Sequence, residues 1–316
     1  MVSLAGAVAR LGLCFFFILS GFLVSNLHIG QRLDLSSLWV YSVRRMSRVY
    51  PLFLLAAAIP GILIFLKFPG QIAMSGINSI DRYFGQVLLL DRGENVFWTI
   101  QIEVLFYIAF VGLWCLFGVI RRKLFFCIVS ILAILVWQLG PLTDLVFFHT
   151  AHYFLFGVLS ALLYQAGLFK SSSKSASLIG VMLLLMVPLT FPKIFKLLFG
   201  GDIVSWESPL IVFQLLIIFN IAVRDQFYLG RLLSLKPLVW LGKVSYSVYL
   251  IHYFVICGIV SFTSPHENYL LNFTLVLAVV LLLSWFSNVT LERPMQRALS
   301  RTLIFRAKEK GSMVKN

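Results

Sequence analysis

The sequence has little charge. Only 12% of its 316 residues are charged, and the 12 acidic residues are outnumbered by 26 Lys and Arg. Hydrophobic residues make up 60% of the chain, and its mean hydropathy is +0.95. A water-soluble core needs far less apolar content, so this composition excludes a soluble enzyme.

Cysteine is also scarce. Its four cysteines all fall inside apolar stretches, where a thiol packs as a small hydrophobic group; they are Cys14, Cys115, Cys127 and Cys257. Their positions exclude a disulfide framework and show no metal-ligand spacing. We therefore predict no metal and no permanently bound cofactor.

Long apolar runs recur from end to end instead. A run of about 18 or more such residues crosses a bilayer core about 30 Å thick as one helix. We predict an all-α, polytopic transmembrane bundle with nine spans, at about 11–29, 49–67, 98–119, 124–141, 146–166, 176–192, 208–223, 239–262 and 270–291.

The basic residues are distributed unevenly between the two sides of these spans. Nineteen of the 26 lie on one side, seven of them after Glu292. The positive-inside rule places that side and the C-terminus in the cytoplasm, and the N-terminus outside. The charge is thus explained by membrane lipids, with no nucleic acid partner. We expect a membrane domain over 1–292 and a basic cytoplasmic tail over 293–316.

Glu103 is the outstanding polar residue of the third span. A charge at this depth is costly, so an intramembrane carboxylate indicates a functional site. Helical spacing places Thr99, Phe106 and Tyr107 on its face, next to Trp98. Such a face suits a sugar, although a structural carboxylate bonded to a neighbouring helix would follow the same pattern.

A second cluster, Arg44, Arg45 and Arg48, lies on the predicted cytoplasmic side. On a helix the three guanidinium groups converge, and paired hydrogen bonds could hold the phosphates of a nucleotide-like donor. Ordinary positive-inside anchoring is the alternative.

Histidines provide a third set of candidates. In the eighth span Ser245, Tyr249 and His252 recur at i, i+4 and i+7, a polar stripe ending in an imidazole that could accept a proton. An interhelical hydrogen bond is the alternative role of His252. His149 and His152 lie at the predicted outer mouth of the fifth span, and two histidines without a third ligand are a poor metal signal.

Four stretches in this order resemble the acyltransferase-3 family of membrane O-acyltransferases. They are Phe15 to Leu23, the arginine cluster followed by Tyr50-Pro51, the run from Trp98 to Tyr107, and Leu241 to His252 closed by Leu291-Glu292-Arg293-Pro294. The resemblance implies transfer of an acyl group, usually acetyl from cytoplasmic acetyl-CoA, to hydroxyls of cell-surface or lipid-linked carbohydrate. It also implies a bacterial inner membrane.

The resemblance further implies roles for the candidate residues. Arg44, Arg45 and Arg48 would hold the CoA phosphates, and Glu103 would belong to the membrane-embedded site. The family's own catalytic histidine has no counterpart near Arg10, so His149, His152 or His252 could take its place, since a general base needs only to reach the acceptor hydroxyl. Trp98, Thr99, Tyr107, Ser245 and Tyr249 would contact the substrate.

The sequence departs from the family pattern at its start. That pattern begins with a further helix carrying an Arg and a His regarded as the catalytic base. Only about fourteen residues precede the Phe-rich motif here, and Arg10 has no His near it. We expect that helix to be lacking.

Two other functions remain open on the sequence. A glycan or lipid-linked sugar flippase would use the polar stripes as a path, with helix breaks at Pro60 or Pro188. A catalytically inactive relative would follow from the lack of the His-bearing helix. Binding of CoA separates the enzyme from the flippase.

Overall fold

A computed structural model describes residues 4–66, 79–90, 96–143, 145–167, 173–200, 208–262 and 269–313. These residues form helices and no strands, which confirms the predicted all-α class. The α-helices are α1 (Leu4–His28), α2 (Leu35–Phe65), α3 (Ile80–Val87), α4 (Trp98–Val119), α5 (Arg122–Leu139), α6 (Val146–Gln165), α7 (Lys174–Met186), α8 (Pro192–Phe199), α9 (Pro209–Ala222), α10 (Tyr228–Leu233), α11 (Lys236–Phe262), α12 (Tyr269–Ser287) and α13 (Arg293–Met313).

Among the described residues, six segments are helical, long and apolar enough to cross a membrane: Ala9–His28, Trp98–Val119, Arg122–Leu139, Val146–Gln165, Lys236–Ile259 and Leu270–Leu303. A seventh span results if the bent pair Lys174–Thr190 and Pro192–Phe199 counts as one. The prediction of an integral membrane protein is confirmed by these helices.

Two predicted spans have a different shape in the structure. Helix α2 begins fourteen residues before the predicted span at 49, because Asp34 and Ser37 form a capping box in front of Leu35. The predicted span over 176–192 ends in a turn of 3-10 helix, followed by an 88° bend. Pro188 and Pro192 explain this break, since proline cannot donate a backbone hydrogen bond.

The helices group into two compact units. Unit one comprises residues 1–32 and 108–238, and unit two comprises residues 33–107 and 239–316. Helices α4 and α11 each contribute residues to both units.

Unit one is built on a close crossing of α1 and α6. A Cβ added to Gly21 would lie 2.1 Å from the carbonyl oxygen of Phe154, and one added to Gly157 would lie 2.2 Å from that of Ile18. Only glycine permits this approach, as in other membrane helix pairs. The rings of Phe17 and Phe154 stack beside the crossing at 4.7 Å.

Unit two is held by polar contacts between its helices. Tyr246 Oη of α11 donates to the carbonyl oxygen of Val49 in α2 at 2.6 Å. Helix α12 continues through a π-helical turn, Asn288–Glu292, into α13. In that turn Glu292 accepts from Ser247 Oγ at 2.6 Å. Buried polar groups need such partners in a membrane.

Candidate functional site

The predicted site residues of α4 face the interior of unit two. Thr99, Glu103 and Tyr107 follow one another at i+4 and are each 3% exposed. The hydroxyl of Tyr107 donates to Glu103 Oε1, a short contact within one face of the helix. Trp98 is half-buried at the start of the helix. The sequence predicts a carboxylate beside a hydroxyl and two aromatic rings, and all four of these side chains, Thr99, Glu103, Phe106 and Tyr107, are buried in the structure.

The arginine cluster of α2 divides into three environments. Arg44 is exposed, Arg48 is half-buried, and Arg45 is 7% exposed. The guanidinium carbon of Arg45 lies 5.7 Å from the centre of the Tyr107 ring, in a cation–π contact. Its Nε is buried without a hydrogen-bond partner among the described residues.

These contacts join two sequence patterns, the arginine cluster and the face of Glu103, that the sequence alone does not connect. Tyr107 contacts Glu103 through its hydroxyl and Arg45 through its ring. Arg48 also interacts electrostatically with Tyr107. We call Arg45, Arg48, Glu103 and Tyr107 the Arg–Glu cluster.

Two tyrosines that were not predicted as site residues support the cluster. Tyr41 Oη donates to the backbone oxygen of Tyr107 at 2.8 Å, and burial raises the pKa of Tyr41, which keeps its hydroxyl protonated. Tyr246 interacts electrostatically with Glu103 and Arg48. Tyr246 lies within the Leu241 to His252 stretch and Tyr41 lies just before the arginine cluster, but the direction of both side chains depends on tertiary packing.

The polar stripe predicted for α11 is split by the structure. Tyr249 Oη accepts a hydrogen bond from Thr99 Oγ1 at 2.9 Å, which links it to α4. Ser245 is exposed and donates to the carbonyl oxygen of Gly242 in its own helix. The buried serine of this segment is Ser247, two residues further on.

His252 lies one turn beyond Tyr249, with the two ring centres 5.8 Å apart. Its Nδ1 is 2.7 Å from the carbonyl oxygen of Tyr249. A carbonyl only accepts hydrogen bonds, so Nδ1 carries the proton and Nε2 is the basic nitrogen. This tautomer suits a proton acceptor.

The other predicted histidines belong to unit one. His149 Nε2 lies 2.8 Å from the carbonyl oxygen of Thr143, whereas His152 is 1% exposed and packs against Trp137 and Tyr153. The described residues contain no group of three potential metal ligands. His149 and His152 thus belong to a different unit from the Arg–Glu cluster.

A helical membrane protein with a buried arginine and a buried carboxylate that contact the same tyrosine is suited to polar chemistry within the bilayer. The chain matches the model of the acyltransferase domain of the acyltransferase-3 family over residues 1–289. It belongs to this family, which confirms the resemblance found in its motifs and the prediction of an acyltransferase.

Curated relatives point in the same direction. The O-acetyltransferase OatA of Staphylococcus aureus, in strains NCTC 8325 / PS 47, COL and MW2, is 26% identical to this chain over 348 residues. Each alignment covers 96% of this chain and 55% of the relative. The chain thus spans about half the length of these relatives. No solved structure matches it.

Proposed function

We propose that the chain transfers an acetyl group from acetyl-CoA to hydroxyl groups of cell-surface or lipid-linked carbohydrate. The acyltransferase domain supports group transfer, and the similarity to an O-acetyltransferase supports acetyl as the group and a hydroxyl as the acceptor. The donor and the carbohydrate are our inference from the chemistry of the site.

The observation that carries this proposal is the burial of the Arg45 guanidinium group without a full set of hydrogen-bond partners in the described part of the chain. A guanidinium group that is 7% exposed, with its Nε lacking a hydrogen-bond partner among the described residues, is costly. An unsatisfied buried donor costs about 1–3 kcal/mol. An anionic donor substrate offsets that cost, because phosphate oxygens accept paired hydrogen bonds from arginine. A neutral sugar that is only carried across the membrane offers no such partner.

The proposed reaction needs a base, a donor site and a site for the acceptor. Arg44, Arg45 and Arg48 hold the phosphates of acetyl-CoA. His252 Nε2 takes the proton of the acceptor hydroxyl, whose oxygen attacks the thioester carbonyl. A C–O bond forms, the C–S bond breaks, and the CoA sulfur leaves as a thiolate that takes up the proton.

Glu103 and Tyr107 of the Arg–Glu cluster, together with their neighbours, orient the acceptor in this scheme. Glu103 accepts a hydrogen bond from a hydroxyl of the sugar or orients the base. The ring of Trp98 packs against a face of the sugar. The adjacent hydroxyl groups of Thr99 and Tyr249, or the hydroxyl group of Tyr107 beside Glu103, stabilise the negative oxygen of the tetrahedral intermediate.

We also propose the membrane topology that this reaction needs. The six long spans, α2, the bent pair α7–α8 and the shorter apolar helix α9 together give nine crossings. The uneven distribution of Lys and Arg supports a topology with the C-terminus and the arginine cluster in the cytoplasm, where acetyl-CoA is made, and the N-terminus outside. A bacterial inner membrane fits this arrangement.

The test is transfer of labelled acetyl from acetyl-CoA into carbohydrate, measured with the full chain in inside-out membrane vesicles. Arg45→Ala should raise the KM for acetyl-CoA by about tenfold or more, since one charge-assisted contact is lost. The matched control is Arg121→Ala, which removes an exposed arginine of unit one and should leave KM unchanged. Equal KM values in wild type and Arg45→Ala would contradict the proposal.

A further inference from the structure

One short pattern occurs twice in unit two. Arg44-Arg45-Met46-Ser47-Arg48 in α2 and Arg297-Ala298-Leu299-Ser300-Arg301 in α13 both read Arg-x-x-Ser-Arg. The two serines meet, with Ser47 Oγ and Ser300 Oγ 2.8 Å apart. The two patterns are therefore in direct contact.

The two helices run antiparallel at this contact. Trp39 Nε1, two turns before Ser47 in α2, donates to the carbonyl oxygen of Leu303, which follows Ser300 in α13. The earlier residue of one helix thus pairs with the later residue of the other. The π-helical turn that precedes α13 also packs against α2.

This direction decides where the arginines lie. A helix has about 3.6 residues per turn, so each residue is rotated by about 100° from the one before. Viewed down the helix, the first arginine of each pattern is rotated by about 60° from the serine. The last arginine is rotated by about 100° from the serine in the same direction. For two antiparallel helices that face each other, the same sense of rotation leads to the same side of the contact. Arg44, Arg48, Arg297 and Arg301 therefore lie on one side of the Ser47–Ser300 hydrogen bond.

We call these four residues the arginine frame. Arg44, Arg297 and Arg301 are exposed, whereas Arg48 is half-buried and also belongs to the Arg–Glu cluster. The frame thus extends from the surface to the buried site. Four positive charges around one contact repel each other, and an anion bound between them would offset this repulsion.

We propose that the arginine frame binds the nucleotide end of acetyl-CoA, its 3′-phosphate and its diphosphate. This inference rests on the proposed function and adds Arg297 and Arg301 of α13 to the donor site. Guanidinium groups from two helices recognise several phosphates at once, which a single-phosphate ligand does not require. In this arrangement the acyl-carrying arm of acetyl-CoA passes Arg48 and extends towards Arg45.

The test measures binding to the full chain in phosphatidylcholine nanodiscs by calorimetry. The probes are CoA and adenosine 3′,5′-bisphosphate, which has phosphates but no acyl-carrying arm. Arg297→Ala/Arg301→Ala should weaken both by at least about tenfold, from two lost charge-assisted contacts, without changing the melting temperature. The control Arg121→Ala/Lys123→Ala removes two exposed positive charges of unit one and should change neither affinity.

Two results would overturn the arginine frame, and a third would contradict the proposed function alone. Unchanged affinity for both probes in the double variant overturns the arginine frame as a phosphate site. Loss of nucleotide binding when the nanodiscs contain phosphatidylglycerol assigns the frame to lipid headgroups and also overturns the proposal. Nucleotide binding that depends on the frame, in a chain that transfers no acetyl group, supports the frame and contradicts the proposed function alone.

Discussion

The two units of this protein differ in their closest helix contacts. Unit one has the glycine crossing of α1 and α6, where two backbones approach without side chains between them, and it also has polar contacts such as those of Asn220 with Ser160 and of Asp225 with Ser177. Unit two relies on buried hydrogen bonds and charges, among them the contacts of Tyr246, Glu292 and the Arg–Glu cluster. Close packing tolerates no added atom, whereas a polar network can exchange partners with a ligand. We propose that the chemistry takes place in unit two, where a buried arginine and a buried carboxylate contact the same tyrosine.

The largest effect should follow from an added methyl group in unit one. Gly157→Ala brings a Cβ to within 2.2 Å of the Ile18 carbonyl oxygen, so α1 and α6 must move apart. We expect a loss of about 3 kcal/mol in the free energy of unfolding, the upper end for overpacked sites. The measurement is denaturant unfolding in detergent.

Gly112→Ala is the matched control for this change. Gly112 is also helical, but an added Cβ would meet nothing within 4 Å. It should be neutral or slightly stabilising, since alanine is the better helix former. Equal destabilisation by both substitutions would contradict the close-packing account of unit one.

The next effect should be on catalysis in unit two. Glu103→Gln keeps the shape of the side chain but removes the charge that orients the acceptor or the base. We expect kcat for acetyl transfer to fall about 100-fold, the range of positioned acid–base groups. The dissociation constant for CoA should stay unchanged, since we propose that the arginines hold the donor.

The control for Glu103→Gln is Asp81→Asn, at an exposed acidic residue of α3. It should leave kcat unchanged. A variant Glu103→Gln with normal turnover would reduce Glu103 to a structural carboxylate.

A smaller change should result from Tyr107→Phe. The ring that faces Arg45 remains, but the hydroxyl that donates to Glu103 is lost. We expect kcat to fall about tenfold, which corresponds to about 1.4 kcal/mol for a hydrogen bond to a charged group. Tyr228→Phe, at an exposed tyrosine of unit one, is the control. Similar losses in both variants would show that the Tyr107 hydroxyl has no special role.

The smallest effect should be that of Tyr41→Phe on stability. It removes the 2.8 Å hydrogen bond to the backbone of Tyr107, worth about 1 kcal/mol. Burial raises the pKa of Tyr41 in the folded chain above its value in the unfolded chain. The free energy of unfolding of the wild type should therefore exceed that of Tyr41→Phe by a constant amount below about pH 10. Above this pH the difference should shrink, because Tyr41 ionises in the unfolded chain. Unfolding curves across this pH range check the sign, and an advantage that grows with pH would contradict it.

Hydropathy predicted the helices well because a span needs an uninterrupted apolar run. The segment 98–119 agrees with α4 at both ends. Hydropathy missed the first half of α2, where the helix also includes the polar and basic residues that precede the apolar run. The short helices α3 and α10 were missed, since neither has the length of a span.

The candidate site was predictable only along single helices. Helical spacing places Glu103 and Tyr107 on one face, and the structure joins them by a hydrogen bond. The approach of Arg45 from α2 depends on tertiary packing, which no periodicity encodes. The same reason explains why Tyr41 and Tyr246 were not selected, and why Ser245 was preferred to its buried neighbour Ser247.

The most direct test of the account is to map where a CoA photoaffinity probe labels the full chain. After illumination and digestion, mass spectrometry identifies the labelled peptides, with excess CoA as competitor. We predict competable labels in unit two, within α2 and the first half of α4, and their loss in Arg45→Ala. Competable labels confined to residues 108–238 of unit one would contradict the assignment of the donor site to the Arg–Glu cluster.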